Sequence, residues 1–185
     1  LVFMPEPYSL SATAVIYASK TGFTERYAGW IAESLYCQAM PLAGLRAEAI
    51  QPYRLVIYGG GVYGGSIAGL KGIKRLLAQN HRIPWVAFAV GVTHPSEAVL
   101  QSLQKQNFPA GESRPAHFFY FLGGINFERM GLRDKLLMRI FFHYAAKKSA
   151  SSQGNPGVPA RLTSMDLTDR ASIRPLLDYV AKKWG

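Results

Sequence analysis

The 185-residue chain has 21 Lys and Arg against 11 Asp and Glu, a formal net charge of +10, and 49% hydrophobic residues. This length suits one domain with a hydrophobic core. No apolar run approaches the roughly 20 residues of a membrane span. Because Cys37 is the only cysteine, the chain cannot form an internal disulfide. The basic balance suggests an acidic partner such as nucleic acid, anionic lipid or a carboxylate-rich ligand, or it serves solubility alone.

Residues 1–12 are expected to form an extension in front of a single domain that spans residues 13–185. Met4 is a candidate native start, in which case residues 1–3 are left from cloning. No positively charged segment followed by an apolar stretch opens the chain, so no secretory signal is expected. Because a lone cysteine also suits a reducing compartment, we predict a cytoplasmic protein.

Strand and helix signals alternate along the domain. The predicted strands cover residues 13–17, 38–42, 54–58, 84–92 and 116–122. The predicted helices cover about 24–37, 69–79, 96–104, 131–148 and 169–183. Ser96 should cap the third helix and Thr168 or Asp169 the last, while Pro175 should make the last helix start late or kink.

Five apolar strands separated by helices predict a parallel sheet with helices on both faces, which is a three-layer α/β sandwich. The natural strand order for such a doubly wound sheet is 2-1-3-4-5. These sheets bind ligands at the carboxyl ends of the strands, where the strand order reverses. The loops after the first and third predicted strands are therefore the expected site.

The loop after the first strand is Ser19-Lys20-Thr21-Gly22-Phe23-Thr24. The N-terminus of the helix that follows carries unpaired backbone N–H groups and a partial positive charge, so it can bind a phosphate. The serine and threonines add hydroxyl groups, and Gly22 lets the backbone approach a ligand closely. The loop has neither G-x-G-x-x-G nor the G-K-[ST] ending of a P-loop, and a ligand with one terminal phosphate, such as FMN, fits it. The alternative is an ordinary turn capped by serine or threonine.

Several stretches of the sequence resemble flavodoxin-like proteins. "VIYASKTGFTERYAGWIAESL" resembles their opening, which contains a [ST]-x-[ST]-G-x-T phosphate loop, and "GGGVYGGSIAGLKGIKRLLAQ" is similar to their second flavin loop. "PAHFFYFLGGINFERMGLRDKLLMRIFFHYAAKK" and "LTDRASIRPLLDYVAKK" resemble a narrower branch, the menaquinone-dependent protoporphyrinogen dehydrogenases and related flavodoxin-domain proteins. The resemblance implies a flavodoxin-like fold and a non-covalently bound FMN.

The resemblance also implies a cofactor site made of three loops. Its residues are Ser19, Lys20, Thr21, Gly22, Phe23 and Thr24 at the phosphate, Gly61, Val62, Tyr63, Gly64 and Gly65 in the second loop, and Gly91, Val92, Thr93 and His94 at the flavin edge. Tyr63 is the candidate to stack on the isoalloxazine ring, or else it is a solvent-facing tyrosine. The third loop departs from flavodoxins, which tend to have an acidic residue and an aromatic one there. His94 is either a cation near flavin N1 or a surface residue.

No metal site is predicted, because the other histidines, His81, His117 and His143, lack metal-ligand spacing. No catalytic side chain is predicted either, because the flavin itself can accept hydride while the protein orients and tunes it.

The charge of the chain bears on its expected redox role. Electron-carrying flavodoxins are characteristically acidic, as the resemblance implies, and negative surroundings lower the flavin potential. Positive charge near the flavin would favour a two-electron oxidoreductase over a low-potential electron carrier. The predicted function is therefore an FMN-binding redox protein, either electron-transferring or a two-electron oxidoreductase. The alternatives are a protoporphyrinogen dehydrogenase-like enzyme with a quinone acceptor, and a flavin-free binding module on the same fold.

The segment at about 125–165 is long for one crossover and is predicted to be a basic, apolar helical insertion. Its helix, at 131–148, has a broad apolar stripe that includes Leu132, Leu136 and Ile140, with Lys and Arg around it. This pattern suits an anionic membrane surface or a tetrapyrrole substrate; the alternatives are packing under the Ser-, Gly- and Pro-rich loop at 149–159 or a homodimer contact. A redox partner protein is also expected. Nucleic acid is not favoured, because the basic residues are spread over several helices without a known motif.

Overall fold

The computed structural model describes residues 12–126, 128–133, 135–136, 139–140 and 164–185. The strands, in chain order, are β1 (Thr13–Ala18), β2 (Gln38–Pro41), β3 (Leu55–Tyr63), β4 (Ser66–Ile67), β5 (Trp85–Gly91), β6 (Phe118–Leu122), β7 (Gly124–Ile125) and β8 (Met165–Asp166). The α-helices with described bounds are α1 (Phe23–Leu35), α2 (Leu70–Ala78), α3 (Glu97–Asn107) and α4 (Arg174–Trp184), and short 3-10 helices cover Ala47–Ile50 and Arg170–Ile173.

The main sheet has the strand order β2-β1-β3-β5-β6, and each neighbouring pair in this order is parallel. This confirms the predicted doubly wound order, since the fourth and fifth predicted strands are β5 and β6. The chain runs from β1 outward to β2 and then returns past β1 to β3. The order therefore reverses between β1 and β3, and the carboxyl ends of these strands form the topological switch point.

Each face of the sheet has its own apolar core. Val15, Ile57 and Phe88 lie in the core that includes residues of α1 and α4. Their chain neighbours Ile16 and Tyr58 lie in the core on the other face, with residues of α2. Because both faces are buried, the central strands are apolar at consecutive positions instead of alternating with polar residues.

The third strand is longer than predicted. It was expected at 54–58, but β3 continues through three glycines to Tyr63. The parallel ladders to β1 and β5 on its two sides hold these glycines extended, and this support from neighbouring strands has no local sequence signal. Gly61, Val62 and Tyr63, predicted as loop residues, therefore end a strand.

The helix starts follow local chemistry. Ser96 caps α3 as predicted, because its hydroxyl accepts a hydrogen bond from the backbone N–H three residues on, at 3.3 Å. Asp169 caps the 3-10 turn at Arg170–Ile173 instead of an α-helix. α4 starts only at Arg174, with Pro175 in its first turn, and this is the late start that the proline predicts.

A small antiparallel ribbon follows β6. β7 pairs with β8, and the backbone N–H of Leu167 donates to Gly123 O at 2.8 Å. Arg26 of α1 donates to the Asp166 carboxylate and to the Thr168 hydroxyl. Hydrogen bonds from Thr168 and from Arg26 lower the pKa of Asp166 to about 2. The ribbon therefore fixes the chain after β6 against the start of α1.

The predicted insertion begins as a helix with an exposed apolar side. Residues 132–133, 135–136 and 139–140 are helical, and Leu132 is 86%, Leu136 59% and Ile140 46% exposed. These three residues of the predicted stripe therefore face solvent instead of packing on the sheet. Among the described helices, none is long and apolar enough to cross a membrane. The predictions for residues 1–11 and 141–163, including the loop at 149–159, lie outside the described residues.

Candidate functional site

A cleft opens at the carboxyl ends of β1, β3 and β5, at the switch point of the sheet. Its empty space is about 500 Å³, including a side that is open to solvent. The predicted site residues that line it are Thr21, Phe23, Thr24, Gly61, Val62, Tyr63, Gly91 and Val92. The predicted residues that do not line it are Ser19, Lys20, Gly22, Gly64, Gly65, Thr93 and His94. The fold thus brings residues of all three predicted loops to one place.

Gly22 forms the start of α1. Its φ is +96°, a left-handed conformation that suits glycine, and no side chain at this N-cap position bonds to the first turn. The Ser19 hydroxyl accepts a hydrogen bond from the backbone N–H of Gly22 at 3.1 Å, so it shapes the loop and is not the N-cap of the helix. The turn before α1 is thus capped by a serine, as the alternative has it, while the N-cap of the helix itself is Gly22. The uncapped first turn of α1 can receive an anion.

Phe23 and Thr24, predicted as phosphate-loop residues, are the first residues of α1 and are buried. Phe23 belongs to the apolar core beneath α1, and its ring lies against Gly124. An apolar ring at this position turns into the core, so Phe23 supplies a wall of the cleft. Its place in the phosphate loop stays a prediction that concerns its backbone N–H, which belongs to the first turn of α1.

Tyr63 lines the cleft from the end of β3 and is half-buried. The ammonium of Lys20 lies 4.7 Å from the centroid of its ring, a cation–π contact that joins the first loop to the second. Gly64 and Gly65 have positive φ values and form the turn from β3 to β4. They shape the loop behind Tyr63 and do not line the cleft.

The end of α3 holds this turn in place. The buried side chain of Asn107 accepts a hydrogen bond from the Ile67 N–H at 2.9 Å and donates to Gly65 O at 2.8 Å and to Leu103 O at 2.9 Å. Its exposed neighbour Gln106 donates to Gly64 O at 3.4 Å. The loop that carries Tyr63 is therefore anchored by a buried amide from another element.

The third loop begins at Gly91, the last residue of β5, and Val92, Thr93 and His94 are exposed. Tyr120 of β6 lies over Gly91 and donates its hydroxyl to Thr93 O at 2.7 Å. Burial raises the pKa of Tyr120, so its hydroxyl remains a donor at neutral pH. His94 is exposed, as the second of its two sequence-based interpretations, a surface residue, has it.

Further residues line the cleft that the sequence analysis did not name: Val90, Gly124, Ile125 and Met130. The last three come from the segment after β6, which the β7–β8 ribbon holds against α1. The sequence signal for this approach was weak. It consisted of two glycines, Gly123 and Gly124, at the end of a strand, where glycine often marks a close backbone contact.

The described residues contain neither a metal-binding cluster nor an activated cysteine. No group of His, Cys, Asp and Glu in this part of the chain could hold a metal ion. Burial raises the pKa of the Cys37 thiol to about 11, so little of the nucleophilic thiolate exists at neutral pH. The cleft is lined by apolar residues, glycine, threonine and one tyrosine. It suits binding and orientation of a group that brings its own chemistry.

The family model of the flavodoxin domain matches residues 14–152. The match covers most of the chain, and the protein therefore belongs to the flavodoxin domain family. Family membership implies a flavin cofactor. No curated protein matches the sequence significantly.

Solved structures of flavodoxins and flavoproteins are similar to part of this chain. Two-electron reduced Megasphaera elsdenii flavodoxin is 13% identical, with a TM-score of 0.45 over 60% of this chain and 85% of that one. A flavodoxin of Streptococcus pneumonia TIGR4 is 18% identical, with a TM-score of 0.43 over 58% and 81% of the two chains. A Lactobacillus acidophilus flavoprotein in complex with FMN is 16% identical, with a TM-score of 0.41 over 58% and 91%. At these values the likeness concerns the fold alone.

Proposed function

We propose that this protein binds FMN non-covalently and acts as a flavin redox protein. One observation carries the proposal: the first turn of α1, through Phe23 and Thr24, and Tyr63 line the same cleft at the switch point. The start of α1 can attract a phosphate, because unpaired N–H groups and the helix dipole attract anions. Tyr63 can stack on a flat aromatic ring system, because stacking adds to the gain from apolar burial.

Different residues of the cleft would bind the phosphate and the ring system of FMN. Thr21 and the first-turn N–H groups of α1 would hold the phosphate, while Tyr63 and Val92 would contact the ring system. Gly61 and Gly91 have no side chains that would obstruct the approach of the ring to the ends of β3 and β5. When bound, FMN would supply the uptake and release of electrons, a chemistry that no side chain of the cleft offers.

The proposal is tested by titrating the purified protein with FMN and following flavin fluorescence and the visible spectrum. We expect saturable quenching and shifted flavin bands, because a ring that leaves water and stacks on Tyr63 changes its environment. Riboflavin, which lacks the phosphate, is the matched ligand and should bind more weakly. If neither flavin is quenched at micromolar concentration and low salt, the chain is a flavin-free binding module on this fold.

The placement of charge supports a two-electron role over a low-potential electron carrier. Lys20 contacts the ring of Tyr63, and the guanidinium of Arg129 lies beside Gly22. Lys20 would stabilise a reduced, anionic flavin by Coulomb attraction and raise its potential, whereas Arg129 lies nearer the phosphate loop. Potentiometric titration of the FMN complex should show one two-electron transition. Two separate one-electron transitions, the second at very low potential, would contradict this assignment.

A protoporphyrinogen dehydrogenase-like activity with a quinone acceptor is the finer form of the proposal. It is favoured by one observation: Met130 lines the cleft, and the exposed Leu132, Leu136 and Ile140 follow it directly. An apolar ligand could therefore reach the cleft along an apolar surface with basic residues nearby. Oxidation of protoporphyrinogen by the FMN-loaded protein with a menaquinone analogue is the assay. Absence of turnover, with flavin binding intact, would remove this branch and leave electron transfer to a redox partner protein.

The same exposed residues support peripheral contact with an anionic membrane. Arg133 and Arg139 are exposed beside Leu132, Leu136 and Ile140, and a surface of this kind binds anionic lipid through apolar burial plus charge. We expect co-sedimentation with phosphatidylglycerol vesicles but not with phosphatidylcholine vesicles, and Leu136→Ser should weaken it. If light scattering instead shows a dimer that Leu136→Ser dissociates, the surface is a contact between two copies of the chain.

A further inference from the structure

Arg129 extends from the segment after β7 to the start of α1. Its backbone N–H donates to the side-chain oxygen of Asn126 at 3.2 Å, which fixes the turn that carries it. Its guanidinium lies beside Gly22, with Nη1 only 2.8 Å from the position that a Cβ on residue 22 would take. The φ of +96° favours glycine at position 22, and the close approach shows that the end of the Arg129 side chain lies at the backbone of the phosphate loop.

The other cations near this helix start have different contacts. Arg26 is engaged by the Asp166 carboxylate and the Thr168 hydroxyl on the ribbon. Lys20 lies over the ring of Tyr63 in the second loop. Among the ion pairs between described residues, none includes Arg129. Among the described residues, Arg129 is thus a cation that places its head group beside Gly22 of the phosphate loop and takes part in none of these ion pairs.

We propose that Arg129 binds the phosphate of the flavin and makes the site selective for the phosphorylated cofactor. The inference rests on the proposed FMN site. A guanidinium can form two parallel charge-assisted hydrogen bonds to one phosphate, and an ammonium cannot match this geometry. Arg129 would add its guanidinium to the backbone N–H groups of α1 in holding the phosphate. The cofactor site is then completed by the segment after β7, which lies outside all three of the loops that the sequence predicted.

The test compares Arg129→Gln with Arg133→Gln, using FMN and riboflavin as the two ligands. Both variants lose one positive charge, and Arg133 lies four residues further along on an exposed helical position, so general electrostatic attraction changes equally. We expect Arg129→Gln to weaken FMN binding roughly tenfold, the usual effect of losing a charge-assisted hydrogen bond that is open to solvent. Riboflavin binding should change less than about twofold, because riboflavin carries no phosphate for the guanidinium to bind. Arg129→Lys should recover part of the loss.

The outcomes distinguish the role of Arg129 from the proposed FMN site. Equal FMN affinity of the two glutamine variants, or an equal loss for FMN and riboflavin in Arg129→Gln, would overturn the role of Arg129 while leaving an FMN site. Failure of the unsubstituted protein to bind FMN would overturn both. Far-ultraviolet circular dichroism and the denaturation midpoint of each variant establish that the comparison is made between folded proteins.

Discussion

The Gly59→Ala variant is expected to lose about 3 kcal/mol of unfolding free energy, the upper end of the usual cost of overpacking a core. Gly59 lies in the middle of β3, opposite Phe88 of β5. A Cβ at residue 59 would come within 2.0 Å of the Phe88 ring. That ring is fully buried and packs against Phe121, with 5.6 Å between ring centroids. Because the ring is buried and packed, it can make room for the methyl group only by shifting its neighbours. Urea denaturation measures the loss.

Gly29 provides a matched control for the same substitution. It lies in α1, and a Cβ there would meet nothing within 4 Å. Gly29→Ala should therefore be neutral or stabilise the protein by up to about 1 kcal/mol, because alanine favours a helix more than glycine does. In the double variant, Phe88→Leu should recover part of the loss caused by Gly59→Ala, since the smaller side chain leaves room for the methyl group. A Gly59→Ala protein as stable as Gly29→Ala would show that β3 and β5 do not pack in this way.

Asn107→Ala is expected to lower the unfolding free energy by about 2–3 kcal/mol and to weaken FMN binding by roughly fivefold. The alanine leaves the buried N–H of Ile67 and the carbonyls of Gly65 and Leu103 without the partners that the amide supplies, and an unsatisfied buried polar group costs about 1–3 kcal/mol. The loop that carries Tyr63 would then be ordered only when the ligand binds, which reduces affinity by about 1 kcal/mol. Denaturation and flavin titration on the same preparation measure the two effects.

Gln106→Ala is the control for the role of Asn107. Gln106 is its chain neighbour and contacts the same turn, but it is exposed and its bonds to Gly64 O and the Ser66 hydroxyl are 3.4 and 3.3 Å long. Its replacement should cost less than about 0.5 kcal/mol, as is usual for exposed positions. If Asn107→Ala destabilises the protein but leaves the FMN affinity unchanged, the amide supports the fold without positioning the cofactor loop. If both variants behave alike, burial of the amide has no special consequence.

The sheet could be predicted because its signals are local. Each central strand is a short apolar run between helical segments, and this pattern permits few arrangements besides a doubly wound parallel sheet. β4, β7 and β8 are only two residues long, and their pairing depends on partners that the fold supplies. The extension of β3 through Gly59 likewise depends on the neighbouring strands that pair with it. A glycine in a strand usually weakens it, whereas here it leaves space for a ring from the next strand.

The site could be predicted in part for a related reason. The three loops at the switch point follow from strand order, and Thr21, Tyr63 and Gly91 do line one cleft. Met130 lines that cleft and Arg129 lies beside Gly22 in a segment that begins at the β7–β8 ribbon, which joins parts of the chain far apart in the sequence. Asn107 acts from the end of a helix, where its side chain looks like any polar residue until its burial is known.

The β7–β8 ribbon has a consequence for how this chain can vary. Ile125 and Met165 are register partners, so the polypeptide departs and returns at the same point. A change in the length of the chain between these two strands therefore need not disturb their pairing. The ribbon is a point at which the chain can accept an insertion while the strands that carry the cleft keep their register.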